Sequence, residues 1–359
     1  MQGSSALEVV ALTQKGPSPS ARFRINQNIP HLAELGIWVR GYAPFLSTYS
    51  RLPGRLGKVR ERYLFPVAIG KALLVAAGRV PGTIASYKAD LTWINRSYVP
   101  GLEQMVRFVK GPRVLDVDDS VWLSTIFGQG AAAKFARQMD AVIAGNSYVA
   151  DWYSQYCKNV HVVPDGIDTE RFRPAAKPKE SKTDGFVVGW TGTSVNFHEL
   201  YRIEPALARF LKDHADAKLC IISNERPKFK QIPPAQLIYK RWAAATEATD
   251  LNDFDVGIMP LQETEWTRGK NSNKMLCYMA SGLPVVVSLV GTNREILQMG
   301  EIGLAADAID DWYGCLNLLF CDRNARLEMG NRGRQIIERN FSIRMVCGQL
   351  AKIFRTLAN

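Results

Sequence analysis

Short runs of β-branched and other apolar residues alternate with longer segments of helical periodicity along most of the chain. This order is typical of parallel sheets that are covered by helices on both faces. In the first half the pattern predicts strands at 6–13, 37–42, 89–95, 113–117, 141–144 and 160–163. Helices are predicted between them at 21–35, 55–78, 101–109, 131–138 and 148–157. We interpret residues 1–172 as one doubly wound domain.

The periodicity stops at residues 173–185, which read as a surface linker, and then starts again. Strands are predicted at 186–190, 218–223, 236–241, 255–260 and 284–290, and helices at 197–213 and 243–251. Residues 186–341 therefore form a second doubly wound domain. A final helix within 342–359 carries an apolar stripe that needs a partner surface. The expected fold class is α/β, with two facing doubly wound domains and a ligand cleft between them.

The stretch 266–288 combines a basic glycine-containing loop, a short helix and a buried strand. Ser272 or Asn273 is the predicted N-cap, and Gly282 is the predicted left-handed residue at the C-terminal end. Arg268, Lys270 and Lys274 crowd the N-terminal end, where the helix macrodipole disfavours each cation by roughly 0.3–1 kcal/mol. A bound anion would reverse that sign, so the stretch predicts a phosphate site. The alternative is a solvated basic loop.

A second glycine turn, Gly189-Trp-Thr-Gly-Thr193, follows the first strand of the second domain. Gly192 and Thr193 could bring backbone N–H groups close to a phosphate. The turn lacks the spacing of a dinucleotide fingerprint and the lysine of a P-loop, so a plain strand-to-helix turn is the alternative.

Three carboxylates lie at a predicted strand end in Leu115-Asp-Val-Asp-Asp-Ser-Val-Trp-Leu123. They could hold a divalent cation, cap a helix, or accept hydrogen bonds from substrate hydroxyls in the cleft. Asp116 and Asp118 share one face of the strand, while Asp119 begins the loop, so we favour Asp119 for the cleft role.

Composition is ordinary for a soluble globular protein, with 47% hydrophobic and 22% charged residues, but the net charge of +11 is unevenly placed. Residues 40–79 contain eight basic residues and one acid, with aromatic residues interleaved. This combination fits an anionic membrane surface, a phosphate-bearing acceptor or nucleic acid, or else a merely solvated basic face. No nucleic-acid-binding motif is present, so nucleic acid ranks lowest.

Neither a spanning apolar segment nor a signal peptide is recognisable, which predicts a cytoplasmic protein. The six cysteines show no C-x-x-C pair and are expected to be reduced. The four histidines lack the spacing of metal ligands, and no nucleophile elbow occurs.

Several segments, taken together, resemble the retaining nucleotide-sugar glycosyltransferases of family 4. In the second half they are Phe254-Asp-Val-Gly-Ile-Met-Pro-Leu261, Trp266-Thr-Arg-Gly-Lys270, Lys274, Tyr278-Met-Ala-Ser-Gly-Leu-Pro-Val-Val286, Val290-Gly-Thr-Asn-Arg-Glu-Ile296 and Gly303. In the first half they are Val114-Leu-Asp-Val-Asp-Asp-Ser-Val-Trp122, Ala144-Gly-Asn-Ser147 and Val163-Pro-Asp-Gly-Ile-Asp168.

The resemblance implies a GT-B fold of two facing Rossmann-like domains, with the donor held mainly by the second domain and the acceptor mainly by the first. It implies no metal or other cofactor for donor binding, with a UDP- or GDP-sugar as donor. Arg268, Lys270 and Lys274 would hold the diphosphate and stabilise it as leaving group. The last helix would return to the first domain.

The chain departs from the family pattern at two glutamate positions, which are Gly269 and Cys277 here. The usual Arg-x-x-x-x-Lys after the Gly189 strand is absent as well. Contacts to ribose and sugar must then come from elsewhere, with Glu263, Glu265 and Glu295 as candidates.

The expected function is transfer of a sugar from a nucleotide diphosphate donor to a cell-envelope glycan or lipid-linked acceptor. The enzyme would act at the inner membrane face, through residues 40–79. A non-catalytic nucleotide-sugar or glycan binder is the main alternative. A nucleic-acid-binding protein and a sugar-nucleotide epimerase of similar fold are weaker ones.

Overall fold

The computed structural model describes residues 6–15, 18–46, 65–99, 101–124, 128–175 and 185–359. The chain divides into two compact units. Unit 1 contains Met1–Gly166 and Ile343–Asn359, and unit 2 contains Ile167–Ser342. Most of the predicted linker, residues 176–184, lies outside the described residues, as does the central part of the predicted basic surface, residues 47–64.

Unit 1 is built on a six-stranded sheet in the order β2-β1-β3-β4-β5-β6. Its strands are β1 (Leu7–Leu12), β2 (Ile37–Tyr42), β3 (Leu91–Asn95), β4 (Arg113–Val117), β5 (Ala141–Ala144) and β6 (Val160–Val162). Every pairing is parallel. The helices of its first segment are α1 (Ile29–Glu34), α2 (Phe65–Ser86), α3 (Gly128–Ala136) and α4 (Ser147–Ser154). Separate apolar clusters cover the two faces of the sheet, as expected for a doubly wound domain.

The prediction of a single helix at 21–35 is wrong. A π-helical turn, Ala21–Ile25, and a 3₁₀ turn, Asn26–Asn28, precede α1, which begins with Pro30 in its first turn. The predicted helix at 101–109 is a 3₁₀ segment, Glu103–Phe108. Apolar periodicity located both segments but could not distinguish these tighter and wider helical forms from the α-helix.

The prediction that this helix ends at Gly78 is wrong. Helix α2 continues through Pro81 to Ser86. A Cβ at Gly78 would lie 2.3 Å from the backbone nitrogen of Phe45, and one at Gly82 would lie 2.5 Å from a methyl of Leu12. Both glycines therefore allow close packing of the helix on the loop after β2 and on β1. They do not terminate the helix.

A second prediction for α2 is also wrong, because Arg79 does not belong to the predicted basic surface of residues 40–79. Its side chain is 1% exposed and donates to the carbonyls of Thr13 (2.8 Å), Tyr98 (3.0 Å) and Ser97 (3.3 Å). These carbonyls follow the carboxyl ends of β1 and β3. Burial lowers the pKa of Arg79 to about 10. Arg79 thus fixes α2 to the carboxyl edge of the sheet.

Unit 2 contains a second six-stranded sheet in the order β12-β11-β10-β7-β8-β9, again parallel throughout. Its strands are β7 (Val187–Thr191), β8 (Lys218–Ser223), β9 (Leu237–Arg241), β10 (Val256–Met259), β11 (Val285–Val287) and β12 (Gly303–Ala305). Its helices are α5 (Phe197–Arg202), α6 (Glu204–Asp213), α7 (Glu247–Asp250), α8 (Glu265–Arg268), α9 (Asn273–Ala280), α10 (Thr292–Leu297), α11 (Ile309–Cys321) and α12 (Arg323–Ile336).

The long helix predicted at 197–213 is divided at Ile203, because Pro205 starts α6 as a new helix. Strand β12 was not predicted, since three residues with one glycine give no apolar alternation. The described residues thus form two six-stranded parallel sheets, which confirms the predicted α/β class with two doubly wound domains.

After unit 2 the chain re-enters unit 1 as α13 (Ile343–Ala358). Its apolar stripe packs in the core on one face of the unit 1 sheet, where Phe354 meets Trp93 edge to face at 5.1 Å. The buried members of the stripe are Ile343, Val346, Cys347, Leu350, Ala351 and Phe354.

Candidate active site

Lys274 and the Gly192 turn, which the sequence placed in separate motifs, lie together at the carboxyl edge of the unit 2 sheet. A Cβ at Gly192 would be 2.7 Å from Cε of Lys274. The Lys274 ammonium lies 5.3 Å from the centroid of the buried Trp190 ring, within the range of a cation–π interaction. Only glycine leaves room for the lysine stem here. The arrangement places a positive charge directly over the turn after β7.

The start of α9 is shaped by Ser272, whose φ of 55° is left-handed. Its side chain makes no capping hydrogen bond to the helix and instead donates to Asn293 Oδ1 at 2.6 Å. Asn293 in turn donates to the carbonyl of Ser288 at 3.1 Å. Ser272 is therefore the N-cap by position, as predicted, but its hydroxyl holds the loop after β11. The first turn of the eight-residue helix carries no acid and contains Lys274, which favours an anion there.

Tyr278 fixes α9 against the strands. Its buried hydroxyl accepts a hydrogen bond from the backbone N–H of Thr191 at 2.9 Å, and burial raises its pKa, so the phenol stays neutral. A Cβ at Gly257 would lie 2.3 Å from the Tyr278 ring. At the other end, Gly282 takes the predicted left-handed conformation, with φ of 73°. The position of Lys274 is thus set by contacts with two strands.

Arg268 ends α8 and forms an ion pair with Glu263, with Nε and a terminal nitrogen 3.1 and 3.0 Å from one carboxylate oxygen. Both side chains are about half exposed. A Cβ at Gly291, whose φ is 50°, would lie 2.4 Å from the carbonyl of Arg268. The structure therefore joins two predicted site residues to each other, and the loop before α10 packs on the Arg268 backbone. Lys270 is half-buried in the following loop.

The other predicted donor residues lie in the carboxyl-edge loops or in the first turns of the helices that follow them. Thr193 is exposed and accepts from the side chain of Asn196 at 3.0 Å. Glu265 and Glu295 are exposed in the first turns of α8 and α10. Gly269 and Cys277, the positions without the family glutamates, are both buried, and the Cys277 thiol donates to Asn273 Oδ1 at 3.4 Å.

Sequence reasoning missed Glu199, which supports the loop after β10. The side chain is 3% exposed on α5 and accepts from the backbone N–H of Gln262 at 2.8 Å. Arg202, one turn later, donates to the carbonyl of Leu261 at 3.0 Å. The sequence signal that could have indicated this role is the spacing of an acidic and a basic residue, Glu199 and Arg202, three positions apart on the helix after the glycine turn.

Replacing Glu199 by alanine is expected to lower the free energy of unfolding by about 1–3 kcal/mol, because the part-buried hydrogen bond from the backbone N–H of Gln262 loses its acceptor. Urea denaturation measures the change. Glu301→Ala is the matched control, since Glu301 is largely exposed and pairs with Arg332 at the surface; its expected loss is at most about 1 kcal/mol. Equal effects of the two substitutions would contradict the supporting role of Glu199.

In unit 1, the acids within and directly after β4 pair with arginines. Asp116 is fully buried and accepts from Arg24 Nε at 2.7 Å and from the Trp93 indole at 3.1 Å. Arg24 also donates to Asp165 at 3.1 Å and to the Val163 carbonyl at 2.8 Å. Burial raises the pKa of Asp116 to about 6, against the lowering effect of Arg24. Arg24 thereby links the ends of β4 and β6.

Asp118 and Asp119 both bind Arg96, a non-glycine residue with a left-handed φ of 61°. Burial opposes ionisation of Asp118, but the Arg96 guanidinium 2.6 Å away outweighs it and lowers the pKa of that carboxyl. Asp119 is partly exposed. Among the described residues, no group of three or more histidine, cysteine, aspartate or glutamate side chains is placed to hold a metal ion. Guanidinium pairing, which the spacing of the acids did not reveal, accounts for the Asp-x-Asp motif.

Residues 186–320, within unit 2, match the family model described as glycosyl transferases group 1. The matched domain indicates a glycosyltransferase. It contains the Gly192 turn, Lys274 and the loops after β10 and β11. No curated protein matches this glycosyltransferase by sequence.

Solved structures of similar fold cover nearly the whole glycosyltransferase. Sucrose-phosphate synthase from Thermosynechococcus elongatus is 13% identical, with 98% of each chain covered and a TM-score of 0.69. Anabaena Alr3699/HepE in complex with UDP-glucose is 12% identical, with 98% of this chain and 100% of that chain covered and a TM-score of 0.69. WaaG, a glycosyltransferase involved in lipopolysaccharide biosynthesis, is 14% identical, with 97% and 99% covered and a TM-score of 0.66. These similarities show a GT-B fold with two Rossmann-like domains.

Proposed function

We propose that this glycosyltransferase transfers a sugar, with retention at the anomeric carbon as in family 4, from a UDP- or GDP-sugar to a cell-envelope glycan or lipid-linked acceptor. The observation that carries the proposal is the position of Lys274. Its side chain lies over the Gly192 turn at the first turn of α9, at the carboxyl edge where doubly wound sheets bind ligands. This edge lies within the glycosyl transferase group 1 domain.

The chemistry required of these residues is electrostatic. Breaking the bond between the anomeric carbon and the diphosphate leaves additional negative charge on the phosphate, which a fixed ammonium and helix N–H groups stabilise. Lys274 supplies that charge beside the turn after β7, where the family's Arg-x-x-x-x-Lys is missing. Arg268 and Lys270 are the other proposed phosphate contacts. The proposed transfer needs no metal.

The proposed contacts to ribose and sugar are carboxylates of the same edge. Glu263 is held by Arg268, and Glu265 and Glu295 lie in the first turns of α8 and α10. The structural neighbour HepE forms a complex with UDP-glucose, which supports this class of donor. Gly192 and Thr193 complete the proposed donor site.

The proposed acceptor residues belong to unit 1. Asp119 would accept hydrogen bonds from acceptor hydroxyls, and its partner Arg96 would fix its orientation. The structural neighbour WaaG is involved in lipopolysaccharide biosynthesis, which supports a cell-envelope glycan or lipid-linked molecule as the acceptor. We further propose that basic residues of 40–79, without Arg79, face an anionic membrane.

Titration of the purified chain with UDP and with GDP by calorimetry tests the donor site. We expect one of them to bind with a dissociation constant below about 1 mM, which corresponds to roughly −4 kcal/mol. Absence of binding of either nucleotide at millimolar concentration would refute the proposed donor site.

A non-catalytic nucleotide-sugar binder on the same fold is the second candidate. It is favoured by one observation, the glycine and the buried thiol at positions 269 and 277. Incubation with a panel of UDP- and GDP-sugars distinguishes the two candidates, since release of free nucleotide from any of them would exclude a pure binder.

A further inference from the structure

The outward face of α2 is apolar, although it is in contact with solvent. Its exposed large side chains are Leu73 (59%), Leu74 (56%), Val80 (50%) and Ile84 (65%), and Tyr87 (62%) follows the helix end. Positions 73, 77, 80, 84 and 87 recur at helical spacing and form one stripe about 21 Å long at 1.5 Å per residue. A surface helix normally presents charged and polar residues on this face. The stripe therefore indicates an interaction surface.

The inward face of α2 is already used in packing, so the helix has no freedom to turn its stripe inwards. Val75, Arg79, Gly82 and Ser86 are buried on that side. Their spacing places them opposite the stripe on the helix circumference.

The attachment of Arg79 also determines how far α2 extends. This residue is bound to carbonyls at the carboxyl edge of the sheet, while Ser86 accepts from the N–H of Lys110 near the amino ends of β3 and β4. Helix residues before 79 therefore extend beyond the carboxyl edge. Leu73 and Leu74 lie on this projecting part.

Basic and aromatic side chains accompany the stripe. Arg40 and Lys88 are exposed, whereas Asp90 is the one acid in the described segments 38–46 and 70–90. Trp38 is 53% exposed and lies, like Tyr42, on the face of the sheet that α2 covers, because alternate strand residues share a face. An apolar helix face combined with tryptophan and basic residues is typical of elements that lie in a membrane interface.

We propose that the outward face of α2 lies in the interface of an anionic lipid bilayer, with Leu73, Val80 and Ile84 among the acyl chains. Lys88 and Arg40 then meet phosphate groups of the lipids. Among the described helices none is long and apolar enough to cross a membrane, so α2 lies on the bilayer. If the outward faces of α2 from two copies packed together symmetrically, their basic residues would lie close to one another. This repulsion disfavours a second copy of the chain as the partner of this face. The inference rests on the membrane location in the proposed function, but not on the transfer chemistry.

Co-sedimentation of the full chain with vesicles tests the proposal without donor or acceptor. The vesicles are pure phosphatidylcholine or phosphatidylcholine with phosphatidylglycerol. We expect binding to the anionic vesicles, weakened by salt because the basic groups contribute. The triple variant Leu73→Gln, Val80→Gln, Ile84→Gln is expected to reduce the partition coefficient by at least about 100-fold, given the apolar area withdrawn from lipid.

The matched control is Ile309→Gln, Leu318→Gln, Leu327→Gln, three similarly exposed apolar residues of unit 2, which should leave vesicle binding unchanged. Circular dichroism melting checks that both triple variants fold. Vesicle binding that is absent, or equally weakened in both variants, would overturn the proposal. So would a concentration-dependent dimer in sedimentation velocity that only the α2 variant abolishes. UDP binding unchanged in the α2 variant separates this test from that of the donor site.

Discussion

Replacing Lys274 by methionine is expected to weaken UDP or GDP binding roughly 10- to 100-fold, because a charge-assisted hydrogen bond contributes about 1.5–3 kcal/mol. Methionine keeps an unbranched side chain over Gly192 and Trp190, so the packing of the turn is preserved while the charge is removed. Sugar transfer should fall further, by about 100- to 1000-fold, if the ammonium also stabilises the departing diphosphate.

Comparison with uridine and guanosine shows which part of the nucleotide the lysine contacts. Binding of these nucleosides should be nearly unchanged in Lys274→Met, since they carry no phosphate. Lys212→Met is the control, because Lys212 is exposed in the last turn of α6, at the opposite edge of the sheet. Equal losses for nucleoside and nucleotide would show that Lys274 does not contact phosphate.

Replacing Arg24 by methionine is expected to lower the free energy of unfolding of unit 1 by about 3–5 kcal/mol, since it leaves buried carboxylates without their counter-ion. Asp116 and Asp165 are both at most 3% exposed and both accept from Arg24. The double variant Arg24→Met, Asp116→Asn should recover part of the loss, because the asparagine carries no charge and its oxygen can still accept from the Trp93 indole. Denaturant unfolding followed by circular dichroism measures these differences.

Arg113→Met provides the comparison for a surface ion pair. Arg113 lies 3.6 Å from Asp140, whose side chain is 46% exposed, so its removal should change the unfolding free energy by at most about 1 kcal/mol. A loss in Arg24→Met as small as that in Arg113→Met would contradict the importance of the buried pair.

The sequence predicted the architecture because strands buried on both faces are continuous apolar runs. Strands β2, β4, β5 and β8 have the predicted bounds. Turns and glycines were less informative. Gly78 was interpreted as a helix end, whereas it permits close packing with Phe45, a contact more than thirty residues distant in sequence.

The candidate site was predicted in its parts but not in its pairings. The sequence placed Lys274 and Gly192 in separate motifs, and only the parallel order of β7 and β10 brings α9 beside the turn after β7. The partnerships of Arg268 with Glu263 and of Arg96 with Asp119 are also tertiary facts. Side-chain type and local spacing do not determine which opposite charges meet.

The return of α13 to unit 1 affects the order in which the protein is completed during translation. Residues of α13 fill the core beside Trp93, yet they follow all of unit 2 in the chain. On the ribosome, unit 2 can close as soon as Ser342 has emerged, while unit 1, although synthesised first, still exposes the apolar surface that α13 covers. A chain truncated after Ser342 should therefore contain a protease-resistant unit 2 and a unit 1 that chaperones recognise.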